Sequence, residues 1–290
     1  MSVYAYAVEP FLEYSFMRRA LVGCIAISLG SAPLGVLLII RRMSLMGDAM
    51  AHAILPGAAV AFLFTGLSLW SMTLGGVAAG LLVALLAGMV SRVTPLREDA
   101  SFAAFYVISL GAGVLIVSTR GSNVDLMHVL FGTVLALDDA AVIFIATIAS
   151  ITLNLLAIVY RPLVVECFNP SFLRSVGGAG RWVHLLFLTL VVLNLVAGFQ
   201  ALGTLMVVGL MMLPAAAARF WSETIPGQCV VAAVFGMVAS LIGLLLSYHA
   251  ELPSSPAIIL CAGAFYALSV LFGLRESILA QALRLPHLQR

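Results

Sequence analysis

A chain of 290 residues in which 63% are hydrophobic and only 9% charged lacks the polar surface of a water-soluble domain, where about 25% of residues carry charge. Its formal net charge is +2 and every basic residue is an arginine. Without lysine, a phosphate-binding loop of the G-x-x-x-x-G-K type is excluded, so any ATP that drives this protein is bound by another chain.

From the start, Met1 to Glu13 lacks a basic opening and carries two acids, Glu9 and Glu13, so no cleavable signal is expected. Apolar runs then recur near the roughly 20 residues needed to cross about 30 Å of hydrocarbon. In lipid such runs fold as helices, because the backbone must satisfy its own hydrogen bonds. The expected spans are Ala20–Ile40, Gly47–Phe64, Leu69–Val90, Ser101–Ser118, Asp139–Tyr160, Trp182–Phe199, Leu202–Ala218, Gln228–Tyr248 and Ala257–Phe272. The fold class is all-α, a polytopic helical membrane protein of about nine transmembrane helices, with eight the other count the pattern allows. Asn123–Leu137 reads as a partial or re-entrant helix. No period of 20–50 residues repeats, so residues 1–290 read as one transmembrane domain with a cytoplasmic segment at about 163–178.

Arginine placement sets the expected orientation. With the Arg41–Arg42 loop inside, Arg92, Arg97, Arg161, Arg174, Arg181, Arg219, Arg275, Arg284 and Arg290 also fall inside, and only Arg18, Arg19 and Arg120 outside. The N-terminus is then external and the C-terminus cytoplasmic. The connection Arg161–Arg181 is the longest on the inner side. Pro170 and the Gly177–Gly178–Gly180 cluster bracket a short helix, Ser171–Val176. Its neighbouring apolar residues Phe168, Phe172 and Leu173 suit docking into a groove on a cytoplasmic partner.

Ionisable residues inside spans cost about 2.5–3.5 kcal/mol at a helix centre and mark function. The sharpest pair is Asp48 and His52 in RRMSLMGDAMAHAILPG. Four residues are about 400° of helix, so both side chains leave one face a turn apart. A carboxylate with an imidazole suits Zn²⁺ or Mn²⁺ better than Ca²⁺ or Cu(I). A second copy of this helix across a dimer axis would complete an Asp₂His₂ set. Pro56–Gly57, a turn later, can break or kink the helix.

Other candidates carry less. His249 and Glu251, in LSYHAELPSSP on the expected external side, are weak metal candidates. His128 and Asp125 precede LFGTVLAL; Asp138 and Asp139 mark a helix start. His184 reads as an interfacial residue, and Met206, Met211 and Met212 as packing. Cys24, Cys167, Cys229 and Cys261 stand far apart, with no C-x-x-C pair, and read as small packing residues. H-E-x-x-H and G-x-S-x-G are missing, so the chain is not expected to be an enzyme.

At RRMSLMGDAMAHAILPGAAVAF, again at ALGTLMVVGLMMLPAAAARF, and at GLLLSYHAELPSSPAIILCAGAFYALSVLFG, the sequence resembles the permease subunits of ABC importers for zinc, manganese and iron. The likeness spans about residues 15–275; HAELPSSP departs from the aromatic and acidic spelling usual there. It implies a dimer with a second permease copy, identical or not. It also implies a cytoplasmic pair of ATPase subunits, an extracytoplasmic metal-binding protein and a bacterial inner-membrane location. By the same likeness, Asp48 and His52 fall on the intramembrane metal site, and Leu163–Gly178, with Phe168, Ser171, Phe172 and Leu173, on the ATPase-coupling helix. The expected function is ATP-driven import of a divalent metal ion by alternating access, with zinc first, manganese next and iron third. The metal is cargo; no bound cofactor and no nucleic-acid partner are expected. A gradient-driven carrier, with Asp48 and His52 relaying protons and no ATPase partner, is the alternative the residues leave open.

Overall fold

The computed structural model describes residues 8–65, 68–96, 98–119, 134–175 and 180–283. A short entry helix, α1 (Glu9–Glu13), leads into α2 (Ser15–Ile40). The second expected span is two helices, α3 (Met46–Ala53) and α4 (Leu55–Thr65), meeting at Ile54. Then follow α5 (Leu69–Val93), α6 (Glu98–Thr119), α7 (Asp139–Phe168), α8 (Pro170–Ser175), α9 (Gly180–Leu202), α10 (Thr204–Ala218), α11 (Ile225–Ala250), α12 (Ser254–Phe272) and α13 (Ile278–Leu283). Among the described residues eight helices, counting α3 and α4 together, are long and apolar enough to cross a membrane. The all-α membrane architecture is as expected.

Two expected spans differ markedly in extent. Leu202–Ala218, expected as a ninth full span, is the fifteen-residue α10, which at 1.5 Å per residue reaches only about 22 Å. Its apolar character comes from burial inside protein rather than from crossing: Met206, Val207, Leu210, Met211 and Ala215 are all buried. The span expected to end at Tyr160 runs on through Pro162 to Phe168 as a helix of 30 residues, about 45 Å, so it outruns the hydrocarbon. Of Asn123–Leu137 only residues 134–137 are described, and Val134–Ala136 form a single 3-10 turn; Asp125 and His128 lie outside the described residues.

Helix α2 is the axis of the molecule. Small residues (Gly23, Ala26, Gly30, Ala32, Gly35) let α7, α10 and α11 approach it closely. At Gly35 an added Cβ would run into the Met211 carbonyl of α10, and at Gly57 and Gly75 the backbones of α4 and α5 meet in the same way. Asp138 caps α7 by accepting a hydrogen bond from the Ala141 amide at 2.8 Å, as expected for a helix start. A buried amide links α9 to α7: Asn194 donates to Thr152 Oγ1 at 2.7 Å. Trp70 and Trp182 stand exposed at the first residues of their helices, where amphipathic rings suit a headgroup layer.

Candidate metal site

Asp48 and His52 occupy one turn of α3, and His52 Nε2 lies 3.6 Å from Asp48 Oδ1. The helix turns both groups to one side, as the four-residue spacing dictates. Their surroundings differ. The Asp48 side chain is 60% exposed and opens away from the chain, whereas that of His52 is 23% exposed. His52 Nδ1 is buried and has no hydrogen-bond partner among the described residues. Nε2, which faces the carboxylate, is the nitrogen a cation shared with Asp48 would use.

Helix α6 forms the wall beside His52. The Tyr106 ring lies 5.9 Å from the imidazole, tilted by 32°. Pro56 has no N–H to return to the His52 carbonyl. One residue on, the Ala53 carbonyl accepts a hydrogen bond from Ser109 Oγ at 3.1 Å. Gly113, a turn further along α6, leaves room for the Pro56 ring, since a Cβ there would lie 3.1 Å from it. The neighbouring helix thus satisfies a carbonyl beside the break, a contact of the kind by which membrane helices tolerate proline. The break expected at Pro56–Gly57 falls just ahead of the proline, at Ile54.

The back of α3 rests on α10. An added Cβ at Gly47 would come within 2.7 Å of Met211 Cε and 3.6 Å of Met212 Sδ. These methionines and Met206 pack in the core, in line with their reading as packing residues.

Among the described residues no three His, Cys, Asp or Glu side chains gather closely enough to hold an ion. Asp48 and His52 are thus a two-donor set among side chains of these types. His249 and Glu251 stand apart from them: both are exposed at the end of α11, which lies beside α2, α10 and α12 rather than α3. His249 packs edge-on against Tyr248 at 5.1 Å. Glu251 adopts the left-handed conformation that ends the helix, φ 53°, so its backbone has a structural role as a cap.

The short helix expected over Ser171–Val176 is α8, Pro170–Ser175; Val176 lies outside the described residues. Asn169 opens it by accepting a hydrogen bond from the Phe172 amide at 3.0 Å. Phe168 and Phe172 are more than half exposed, while Leu173 turns inward, its Cδ2 at 3.4 Å from a Cβ built on Gly180. The side-chain surroundings of Ser171 lie outside the described residues.

One residue has a place its sequence neighbourhood did not disclose. His184, expected at the interface, is buried, and its Nε2 approaches Glu98 Oε1 of α6 to 2.9 Å. Its partner is 86 residues earlier in the chain, and no local spacing signals such a tertiary pairing.

The ABC 3 transport family model matches residues 13–273. Among similar proteins, the manganese transport system membrane protein MntC of Halalkalibacterium halodurans is 31% identical over 282 residues, 97% of this chain and 95% of that protein. The chelated iron transport system membrane protein YfeD of Yersinia pestis is 28% identical over 264 residues, 91% of this chain and 87% of that protein. The fold is similar to that of PsaBC from Streptococcus pneumoniae in complex with Fab, with a TM-score of 0.84 and 27% identity over 96% of this chain and 99% of that one. An inward-facing metal-chelate type ABC transporter, at a TM-score of 0.69 and 16% identity, shares the fold. With eight long apolar helices among its described residues and a family match that leaves out only its two ends, this chain is a multi-pass membrane transport component rather than an enzyme, and it belongs to the ABC 3 transport family.

Proposed function

We propose that this chain is the membrane permease subunit of an ATP-driven importer of divalent transition-metal ions, with manganese as its first cargo. The observation that carries the proposal is the pair Asp48 and His52, 3.6 Å apart on a short helix within a chain of this family. A cation that sheds water on entering the membrane regains a carboxylate oxygen and an imidazole nitrogen there. The exposed Asp48 carboxylate faces the side from which a second permease copy completes the shell. Zinc is the first expectation from the imidazole alone. One carboxylate and one imidazole per chain do not separate zinc from manganese, however, since availability and geometry select as much as affinity does. The relatives described above are named for manganese and for chelated iron, which moves manganese ahead.

In this reading a pair of ATPase subunits docks on the cytoplasmic face against α8, through Phe168, Ser171, Phe172 and Leu173. An extracytoplasmic binding protein delivers the ion from the other side. ATP-driven closure of the ATPases rocks the helices between outward and inward openings around the ion. The N-terminus is external, the C-terminus cytoplasmic, and the membrane is the bacterial inner membrane.

Manganese uptake in cells carrying Asp48→Ala or His52→Ala, at wild-type protein level, should fall by about tenfold or more. Wild-type uptake in both variants would remove the site. Phe172→Ala should leave metal binding unchanged and lower the number of ions moved per ATP hydrolysed. Uptake by the reconstituted permease alone, driven by an ion gradient, would replace this reading with the gradient-driven carrier.

A further inference from the structure

The foot of α9 is a meeting point of four helices. Its first residue, Gly180, lies against Leu173 of α8 and within 2.9 Å, measured from an added Cβ, of the Glu166 carboxylate at the end of α7. One turn on, His184 approaches Glu98, the first residue of α6, to 2.9 Å. One turn beyond, the Arg41 guanidinium from the end of α2 sits over the Phe187 ring at 5.4 Å. The side chains of His184 and Glu98 are 10% and 26% exposed. At that distance and depth an imidazole and a carboxylate hold each other, and leaving either one alone there is costly.

Among the described residues the backbones of α6 and α9 barely meet, so this side-chain pair ties them. Helix α6 then runs directly to the ligand helix. Glu98, Phe102, Phe105, Ser109 and Gly113 recur at spacings of four, three, four and four, which keeps them on one stripe. Ser109 holds the Ala53 carbonyl and Gly113 receives Pro56. Tyr106, beside that stripe, faces His52. Glu98 to Ser109 is about 16 Å of helix, a rigid element with a grip at each end.

We propose that the Glu98–His184 pair is the joint through which movement of α8 reaches the metal ligands. His184 rides on the helix that α8 packs against. Glu98 is the foot of the helix that packs beside His52 and binds the Ala53 carbonyl at the break. Neither residue touches the ion; both are positioning residues. The inference rests on the docking role proposed for α8.

The test uses the permease assembled with its ATPase and binding protein in vesicles, read as Mn²⁺ moved per ATP hydrolysed, beside Mn²⁺ binding at equilibrium. Glu98→Gln and His184→Gln should each lower the ratio about fivefold, with Mn²⁺ binding kept within about twofold of wild type. The exchanged variant, Glu98→His with His184→Glu, restores both groups and should recover at least about half of the ratio. Ratios in the single variants equal to wild type would overturn the joint. So would uptake and hydrolysis falling in parallel, or an exchanged variant no better than either single. Phe172→Ala, run alongside, separates the two claims. If it keeps wild-type coupling, the docking role of α8 falls and the joint with it. If it uncouples while the Glu98 and His184 variants do not, only the joint falls.

Discussion

Helices α2 and α6 are nearly alike by composition and opposite by environment. Within their membrane windows the mean hydropathies are 2.2 and 1.7, yet 72% of the α2 window is buried by the rest of the chain and only 17% of the α6 window. In water such a difference would be written as a polar face on the exposed helix. In a bilayer it is not, because hydrocarbon and protein interior are both apolar and the outward face has no reason to be polar. What distinguishes the helices is what their small residues meet: at Gly30 and Gly35 of α2 an added Cβ runs into α7 and α10, whereas Gly111 on α6 has no atom within 4 Å of an added Cβ.

That contrast is broken or sharpened first at two glycines. Gly35→Leu drives a side chain into the α10 backbone and should cost about 3 kcal/mol or more, read as a fall in the thermal midpoint of the purified protein. Gly111→Leu should change stability by less than about 0.5 kcal/mol. An equal loss at Gly111 would show that another chain covers α6.

A smaller effect separates two amides. Asn194, buried, bridges α9 to Thr152, and Thr152→Val should cost about 1 kcal/mol. Asn154, exposed on α7, donates only to its own helix, at the Ser150 carbonyl. Asn154→Leu should leave the midpoint of the isolated chain unchanged, within about 0.5 kcal/mol. The smallest effect belongs to Arg19 and Asp139, 3.5 Å apart with the carboxylate 81% exposed. Asp139→Asn should cost less than about 0.5 kcal/mol, and less still in high salt.

Most of the architecture was legible because a membrane span announces itself by length and hydropathy. The Asp48–His52 pair was legible for a related reason: in an apolar stretch, two ionisable residues a turn apart stand out. The short α10 was not, since a half-length helix buried in protein is as apolar as one that crosses. The length of α7 was hidden by Arg161 and Pro162, which read as a loop but sit within a helix that leaves the hydrocarbon. The Glu98–His184 contact was hidden because tertiary approach decides it. His184 beside Arg181 looks like any polar residue at a membrane edge until α6 is brought against it.

The seating of α3 on Met211 and Met212 has a mechanical corollary. Thioether chains are unbranched and soft, and they refill space as their neighbours shift. A short rod bedded on two of them can roll by a fraction of a turn without opening a void, where a bed of valine or isoleucine would either hold it fast or leave a gap. The rear of the proposed cargo site is therefore a compliant bearing, and the firmer support for Asp48 and His52 comes from α6, with α5 and α9 beside it.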